Sequence, residues 1–259
     1  MGKHSAAMNM AIDEALLRQS PQPVLRVYDW RQPTFSFGYF QQVADEVDVA
    51  ACASQGIALV RRMTGGGTVV HGWDVTYTVI APHDTSAMPK QIGEAYRVIS
   101  DCLVCGLRSI GIDAQQQADK RVETDLPNVC LSKPARYDIM VDGKKVAGVS
   151  QRRNRVGVMY QGYIALDMPP KSVLALASCR MDFDRFLLSH STAINADRDM
   201  LIARKALEIA IADGFKHTLG LVWQEETVSP HEAEDARELA TTKYGSDAWN
   251  FRRSLQKST

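Results

Sequence analysis

An apolar run, Ile57-Ala58-Leu59-Val60, empties directly into Arg61-Arg62-Met63-Thr64-Gly65-Gly66-Gly67-Thr68-Val69-Val70-His71. This junction limits the fold more than any other stretch, because a strand has to end where a backbone without Cβ atoms begins. Three consecutive glycines let backbone N–H groups approach an anion or a carbonyl oxygen closely. Arg61 and Arg62 add planar cationic forks, and His71 is a candidate donor or base. A mobile surface loop with solvated charges is the competing reading, and a short glycine motif needs its context to decide between them.

Around the junction, helical and strand-like patterns mix without strict βαβ alternation. Residues 8–17 place Met8, Ala11, Ile12, Ala15 and Leu16 on one face, which predicts an amphipathic helix with Asp13 and Glu14 outward. Residues 24–30 and 34–40 are rich in β-branched and aromatic side chains and read as two strands across a turn at Arg31-Gln32-Pro33. Trp30, Phe37 and Tyr39 are candidates for lining a pocket or filling a core. Residues 47–55 predict a helix closed by Gly56, residues 75–81 a strand before Pro82, and residues 90–110 a long helix. Residues 157–167 predict a strand before Pro169-Pro170, with a short helix after it. Two helices are expected over 199–215 and 230–244, the second started by Ser229-Pro230 and stopped by Gly245.

The span 115–134 loses all periodicity, as functional lids and binding loops do, and it contains Cys130. Immediately after it comes the clearest hairpin, 137–141 and 144–151 joined by Asp142-Gly143, a pair suited to a type I′ turn. Strict alternation puts Lys145, Ala147 and Val149 on one face and Lys144, Val146 and Gly148 on the other. The pattern as a whole predicts an α+β fold with mixed, mainly antiparallel sheets flanked by helices. Residues 1–259 are expected to form one domain without a C-terminal accessory domain.

Thirty basic residues balance thirty acidic ones, so nucleic-acid binding through bulk charge is not expected, although a local basic patch remains open. No apolar stretch approaches the roughly 20 residues that span a bilayer. The start lacks a signal-peptide layout, and Ala6 stands where a myristoylation site wants Ser or Thr. A cytoplasmic protein without membrane attachment is expected. Five cysteines, an odd number, read as reduced thiols. Cys102 and Cys105 lie within the long helical pattern with no second pair nearby, so they read as buried packing rather than a zinc site.

The junction, with Thr76-Tyr77-Thr78-Val79 after it, resembles the signature loop of the lipoate–protein ligase and octanoyltransferase family. Asn9-Met10-Ala11-Ile12-Asp13-Glu14-Ala15-Leu16-Leu17, Phe35-Ser36-Phe37-Gly38-Tyr39-Phe40-Gln41 and Lys144-Lys145-Val146-Ala147-Gly148-Val149-Ser150-Gln151-Arg152-Arg153 match the same family in order. So does Tyr244-Gly245-Ser246-Asp247-Ala248-Trp249-Asn250-Phe251-Arg252-Arg253 near the end. The resemblance implies the fold shared with biotin ligases. Family members usually carry a strand before the first helix, for which only a few residues are present here.

The resemblance also implies roles. Lys145, followed by small residues, would aim its ammonium at an acyl carbonyl; a solvated hairpin lysine is the plain alternative. Cys130-Leu131 resembles the octanoyltransferase branch, where the thiolate would be the nucleophile. A nearby ammonium would favour that thiolate and stabilise the oxyanion. Arg62, Gly65, Gly66, Gly67, His71, Asp138, Gly148 and Gln161 would form the substrate-binding surface. Gln161 departs from the family, which has His there; an amide hydrogen-bonds but cannot carry a proton. The implied donor is octanoyl-acyl-carrier protein, and the acceptors are lipoyl domains of 2-oxoacid dehydrogenase complexes or the glycine-cleavage H protein. Neither cofactor nor metal is needed. The alternatives are an ATP- and Mg²⁺-dependent lipoate–protein ligase, and a non-catalytic acyl- or protein-binding relative.

Overall fold

Two strands, β6 (Asp74–Pro82) and β10 (Gly157–Ala165), are buried along nearly their whole length and pair antiparallel from Asp74↔Ala165 to Gly157↔Pro82. Strands buried on both faces need a layer on each side, and that requirement organises the rest. The computed structural model describes residues 2–83, 85, 88–117, 135–177 and 189–253.

Around this spine lie β1 (Lys3–His4), β2 (Val24–Trp30), β7 (Gln115–Gln116), β8 (Ile139–Val141) and β9 (Lys144–Arg153). They complete a seven-stranded sheet in the order β1-β2-β6-β10-β9-β8-β7, antiparallel except for β1 on β2. A second, three-stranded sheet sets β3 (Thr34–Phe37) between β4 (Ala58–Arg61), parallel to it, and β5 (Val69–His71), antiparallel. Between β3 and β4 run α2 (Val43–Glu46) and α3 (Val49–Ser54).

One face of the large sheet packs Tyr77, Val79, Tyr160 and Ile164 against α4 (Ile92–Ser109) and the helix Arg204–Leu219, through Ile99, Leu103, Leu107 and Phe215. Cys102 is buried in this layer, which pushes its thiol up to about 12, and Cys105 is half-buried; both are free thiols, as their helical spacing implied. The opposite face carries α1 (Ala6–Gln19), the short helix α5 (Lys171–Leu174) lies beside the small sheet, and the Arg204–Leu219 helix is α6. Packed on α1 are α7 (Pro230–Leu239), a π-helical turn (Ala240–Tyr244) and α8 (Asp247–Asn250). The mixed α+β architecture is the expected one. Among the described residues no helix is long and apolar enough to cross a membrane.

Several boundaries differ from expectation for local reasons. Residues 24–30 and 34–37 do not pair; the turn between them passes the chain from the large sheet to the small one. The 34–40 strand stops at Phe37, where the Gly38 N–H turns to the Gln41 side chain. The 47–55 helix starts only at Val49, because Val47 is extended and bridges Ala177 and Asp48 caps α3; α2 precedes it, outside the expected span. The helix expected from Asp199 starts at Arg204, since the Asn195 amide binds both backbone groups of Ile202 and holds the preceding loop.

The largest correction concerns α1. Asp13 and Glu14 do not face outward; both are buried, because α1 lies between the sheet and α7. Asp13 accepts bonds from Arg26 Nη1 (2.6 Å), Tyr28 Oη (3.0 Å), Thr78 Oγ1 (2.8 Å) and Gln161 Nε2 (2.7 Å). Glu14 accepts from Arg18 Nη2, Lys243 Nζ and Tyr244 Oη, each at 2.6 Å. Burial works against the Glu14 carboxylate, but Lys243, Tyr244 and Arg18 hold its pKa below the ordinary value. Period 3.6 shows which side chains share a face, not whether that face meets water.

Asp13→Ala would leave the Arg26 guanidinium and three other donors facing an empty acceptor. We expect it to cost about 3–5 kcal/mol by urea denaturation, as for one partner lost from a buried ion pair. A loss below about 1 kcal/mol, the range of exposed pairs, would contradict the role given to Asp13.

Candidate active site

β4 delivers two arginines with consecutive numbers into different jobs, and neither fork is left facing solvent. Arg61 is fully buried and donates to the carbonyls of Gly38, Tyr39, Gln41, Trp249 and Asn250, tying the loop after β3 to α8. Arg62 turns the other way. It donates to Ser36 O (2.7 Å) and Ser36 Oγ (2.6 Å), and to the carbonyls of Gly65 (3.1 Å) and Gly67 (2.8 Å). The glycine loop is therefore gripped from inside by its own carbonyls. Gly38 lies so close to Gly66 that a Cβ there would collide with the Gly66 carbonyl.

His71 ends β5 with both ring nitrogens engaged. Nε2 meets Ser36 Oγ at 2.7 Å, Nδ1 meets Asp74 Oδ2 at 2.8 Å, and the ring stacks on Trp30 at 4.1 Å. Burial pushes the Asp74 pKa up, but the His71 ring, Thr76 and the Gly72 N–H outweigh it and hold the carboxyl below its ordinary range. Ser36 Oγ thus joins the Arg62 fork to the ring at Nε2, and Asp74 holds the ring at Nδ1. His71 is a strut between the two sheets rather than an open base.

Gln161 on β10 fills its amide at both ends. Its Nε2 donates to Asp13, and its Oε1 accepts from Thr64 Oγ1 at 2.9 Å. Thr64 in turn accepts from Ser150 Oγ at 3.1 Å. A continuous chain of hydrogen bonds thus joins α1, β10, the glycine loop and β9.

The hairpin forms as expected, with positive φ at Asp142 and Gly143, but its alternation is broken. Ile139 pairs with Ala147 and Met140 with Lys145, so Val146 is an extra residue on β9. This bulge puts Val146 and Ala147 together in the core and brings Lys145 and Gly148 to the same face, which corrects the assignment of these two to opposite faces. The Lys145 ammonium is buried, 2.7 Å from Asp138 Oδ2. A Cβ on Gly148 would stand 3.0 Å from Lys145 Nζ and 3.3 Å from Asp138 Oδ1. Burial raises the Asp138 pKa, and the Lys145 charge only partly opposes that.

Between the two sheets lies a cavity of about 350 Å³, counted to its open side. Strand register aligns its floor: Gly148 pairs with Tyr163, Tyr163 with Thr76, and Thr76 with Tyr28. The row crosses four strands, about 14 Å at ordinary strand spacing. Ser36, Arg62, Val69 and His71 form the roof, and Met10 of α1 and Trp30 wall the β2 end. Lys145 stands at the Gly148 end.

Of the expected substrate-binding residues, Arg62, His71, Gly148 and Gln161 line this cavity, with Lys145 and Asp138 beside Gly148. Gly65, Gly66 and Gly67 lie next to it as the loop that Arg62 holds. Cys130 lies outside the described residues. Met10, Tyr28, Ser36, Thr76, Ser150 and Tyr163 line the cavity without having been anticipated. For Asp74, the spacing His-x-x-Asp at the head of a strand was the available signal. Among the described residues no three His, Cys, Asp or Glu side chains converge on a metal site. The Arg61 and Arg62 forks are already hydrogen-bonded to backbone carbonyls and Lys145 is paired with Asp138, so a nucleotide's phosphates that used these donors would have to displace those partners.

Asp138→Asn would remove the carboxylate that pairs with a buried ammonium. Without it, burial favours the neutral amine, so the variant should lose turnover and lose more of it as pH rises. An alkaline limb of kcat/KM unchanged from wild type would contradict this assignment.

The catalytic-domain model of lipoyl protein ligases A and B matches residues 5–196. Octanoyltransferase LipM of Kyrpidia tusciae is 36% identical, with 97% of each chain covered. Among solved structures, the T. acidophilum protein Ta0514 with bound lipoic acid aligns at a TM-score of 0.80 and 25% identity, over 97% of this chain and 96% of that one. Lipoate–protein ligase A bound with ATP aligns at 0.80 and 26% identity, over the same shares. With its glycine loop, bulged Lys145 hairpin and cross-sheet cavity, the chain belongs to the lipoyl protein ligase A/B catalytic-domain family.

Proposed function

We propose that the protein transfers an octanoyl (or lipoyl) group from an acyl-carrier-protein thioester to a lysine of a lipoyl domain, with Cys130 as the transient acyl carrier. The observation that carries this reading is the buried Lys145 ammonium, held over Gly148 at the head of the row crossing to β2. An acyl chain laid along that row would have its carbonyl beside Lys145 and its tail under Met10 and Trp30. The full-length likeness to an octanoyltransferase supports the same chemistry.

In the first step the Cys130 thiolate attacks the donor carbonyl, the carrier thiolate leaves, and an S-acyl cysteine forms. In the second step the acceptor lysine, as the free amine, attacks that thioester; an amide forms, the amine gives up a proton, and the Cys130 thiolate is released. Charge builds on the carbonyl oxygen in both steps, and Lys145 stabilises it electrostatically. Backbone N–H groups of Gly65, Gly66 and Gly67 are proposed to complete that stabilisation, while Arg62 and His71 keep the loop and the cavity roof in place. Asp138 keeps the ammonium charged and aimed. The reaction needs no ATP, in a single catalytic domain acting in the cytoplasm; acceptors are lipoyl domains of 2-oxoacid dehydrogenase complexes or the H protein.

The ATP-dependent ligase is the second reading, favoured by the structural likeness to a ligase bound with ATP. The two separate cleanly. Incubation with octanoyl-carrier protein should add one octanoyl mass to the wild type and none to Cys130→Ser. An unmodified wild type, with lipoylation that needs ATP and survives Cys130→Ser, would reject the transferase.

A further inference from the structure

The geometry points to the rim formed by Phe40, Arg152 and Arg253 as the docking surface for an acidic acyl-carrier donor, an inference that rests on the transfer reading above. Phe40 is 72% exposed, and it follows the Gly38 contact with the glycine loop closely. Its ring is set edge-on against Tyr39 at 5.0 Å. The Arg152 guanidinium lies 5.7 Å from the Tyr39 ring centre, and Arg253 Nη1 donates to the Phe40 carbonyl at 3.4 Å. Arg152, Arg252 and Arg253 are all exposed. Of the carboxylates on the adjoining elements, Glu14 is paired with Lys243 and Glu46 accepts from the Thr68 hydroxyl, while Asp45 of α2 and Asp247 of α8 are exposed. In a chain of zero net charge, two exposed cations, Arg152 and Arg253, flank this apolar tip. An aromatic anchor flanked by two arginines suits a partner with an acidic surface.

Distance chooses the donor over the acceptor. Arg152 is separated from Lys145 by the length of β9, about 20 Å at strand rise. A carrier domain that holds its thioester on a long flexible prosthetic arm can seat its body that far away and still reach Lys145. An acceptor lysine has only a four-carbon stem, so its domain has to sit closer to the reacting carbonyl.

The test compares octanoyl-carrier protein with octanoyl-pantetheine, a donor without a protein body, on the full chain. Phe40→Glu/Arg253→Glu and, separately, Arg152→Glu should raise KM for the carrier donor about tenfold or more. The same variants should leave turnover of octanoyl-pantetheine and KM for the lipoyl domain unchanged, and wild-type KM for the carrier should climb with salt. An unchanged carrier KM overturns the proposal; so does a rise confined to the lipoyl domain, or an equal loss with octanoyl-pantetheine. If the wild type turns over neither donor, the transfer reading fails. The docking claim is then decided by fluorescence anisotropy of labelled octanoyl-carrier protein, whose affinity the charge reversals should weaken and whose indifference to them would reject it.

Discussion

Arg62 is the constraint that holds the site in shape. A glycine triplet alone has too much conformational freedom to hold a ligand-binding geometry, and ordering it costs more backbone entropy than ordering other residues. The guanidinium offsets that cost with four bonds, two to Ser36 and two to the Gly65 and Gly67 carbonyls. Because β3 supplies Ser36 and β5 supplies His71, the same fork registers the loop against the small sheet. The Ser36–His71–Asp74 contacts then fasten that sheet to β6. The cations that the sequence would aim at substrate are here the frame, and Lys145 is left as the cation nearest the expected carbonyl position.

Gln161 shows how an amide serves a buried polar wall. Asp13 needs donors for a buried charge, and an amide satisfies one of them while its oxygen takes the Thr64 hydroxyl. Arg26 supplies the compensating charge. Both ends of the Gln161 amide are therefore hydrogen-bonded, and this side chain offers the cavity wall no titratable proton. In the same way, the Val146 bulge turns an ordinary hairpin into a site by rotating Lys145 onto the face of Gly148, where the absence of a Cβ leaves room for the ammonium.

Much of the fold was legible because its signals are local. Asp142-Gly143 specified the hairpin, Ser229-Pro230 specified the start of α7, and the apolar runs marked β2, β6 and β10. The glycine loop, Lys145 and Gly148 were legible as a set because their residue types have few other reasons to occur together in that order. What could not be read depended on tertiary context. Asp13 and Glu14 looked like a solvated stripe because nothing local announces that α7 will cover them. The bulge depends on how β8 and β9 pair, and one extra residue reverses a face. Arg61 and Arg62 look alike in sequence; strand alternation sends them to opposite faces, but only the packing of α8 and the glycine loop decides what each fork holds.

The central claim is directional: acyl carbonyl beside Lys145 and Gly148, tail across Tyr163 and Thr76 toward Met10 and Trp30. A crystal structure with a non-hydrolysable octanoyl thioester analogue tests it most directly. The account predicts density for the chain over the Gly148–Tyr163–Thr76–Tyr28 row, with the carbonyl oxygen within hydrogen-bond reach of Lys145 Nζ. A chain lying instead in the separate hollow lined by Trp73, Asp167 and Thr192, with Lys145 still closed against Asp138, would contradict it.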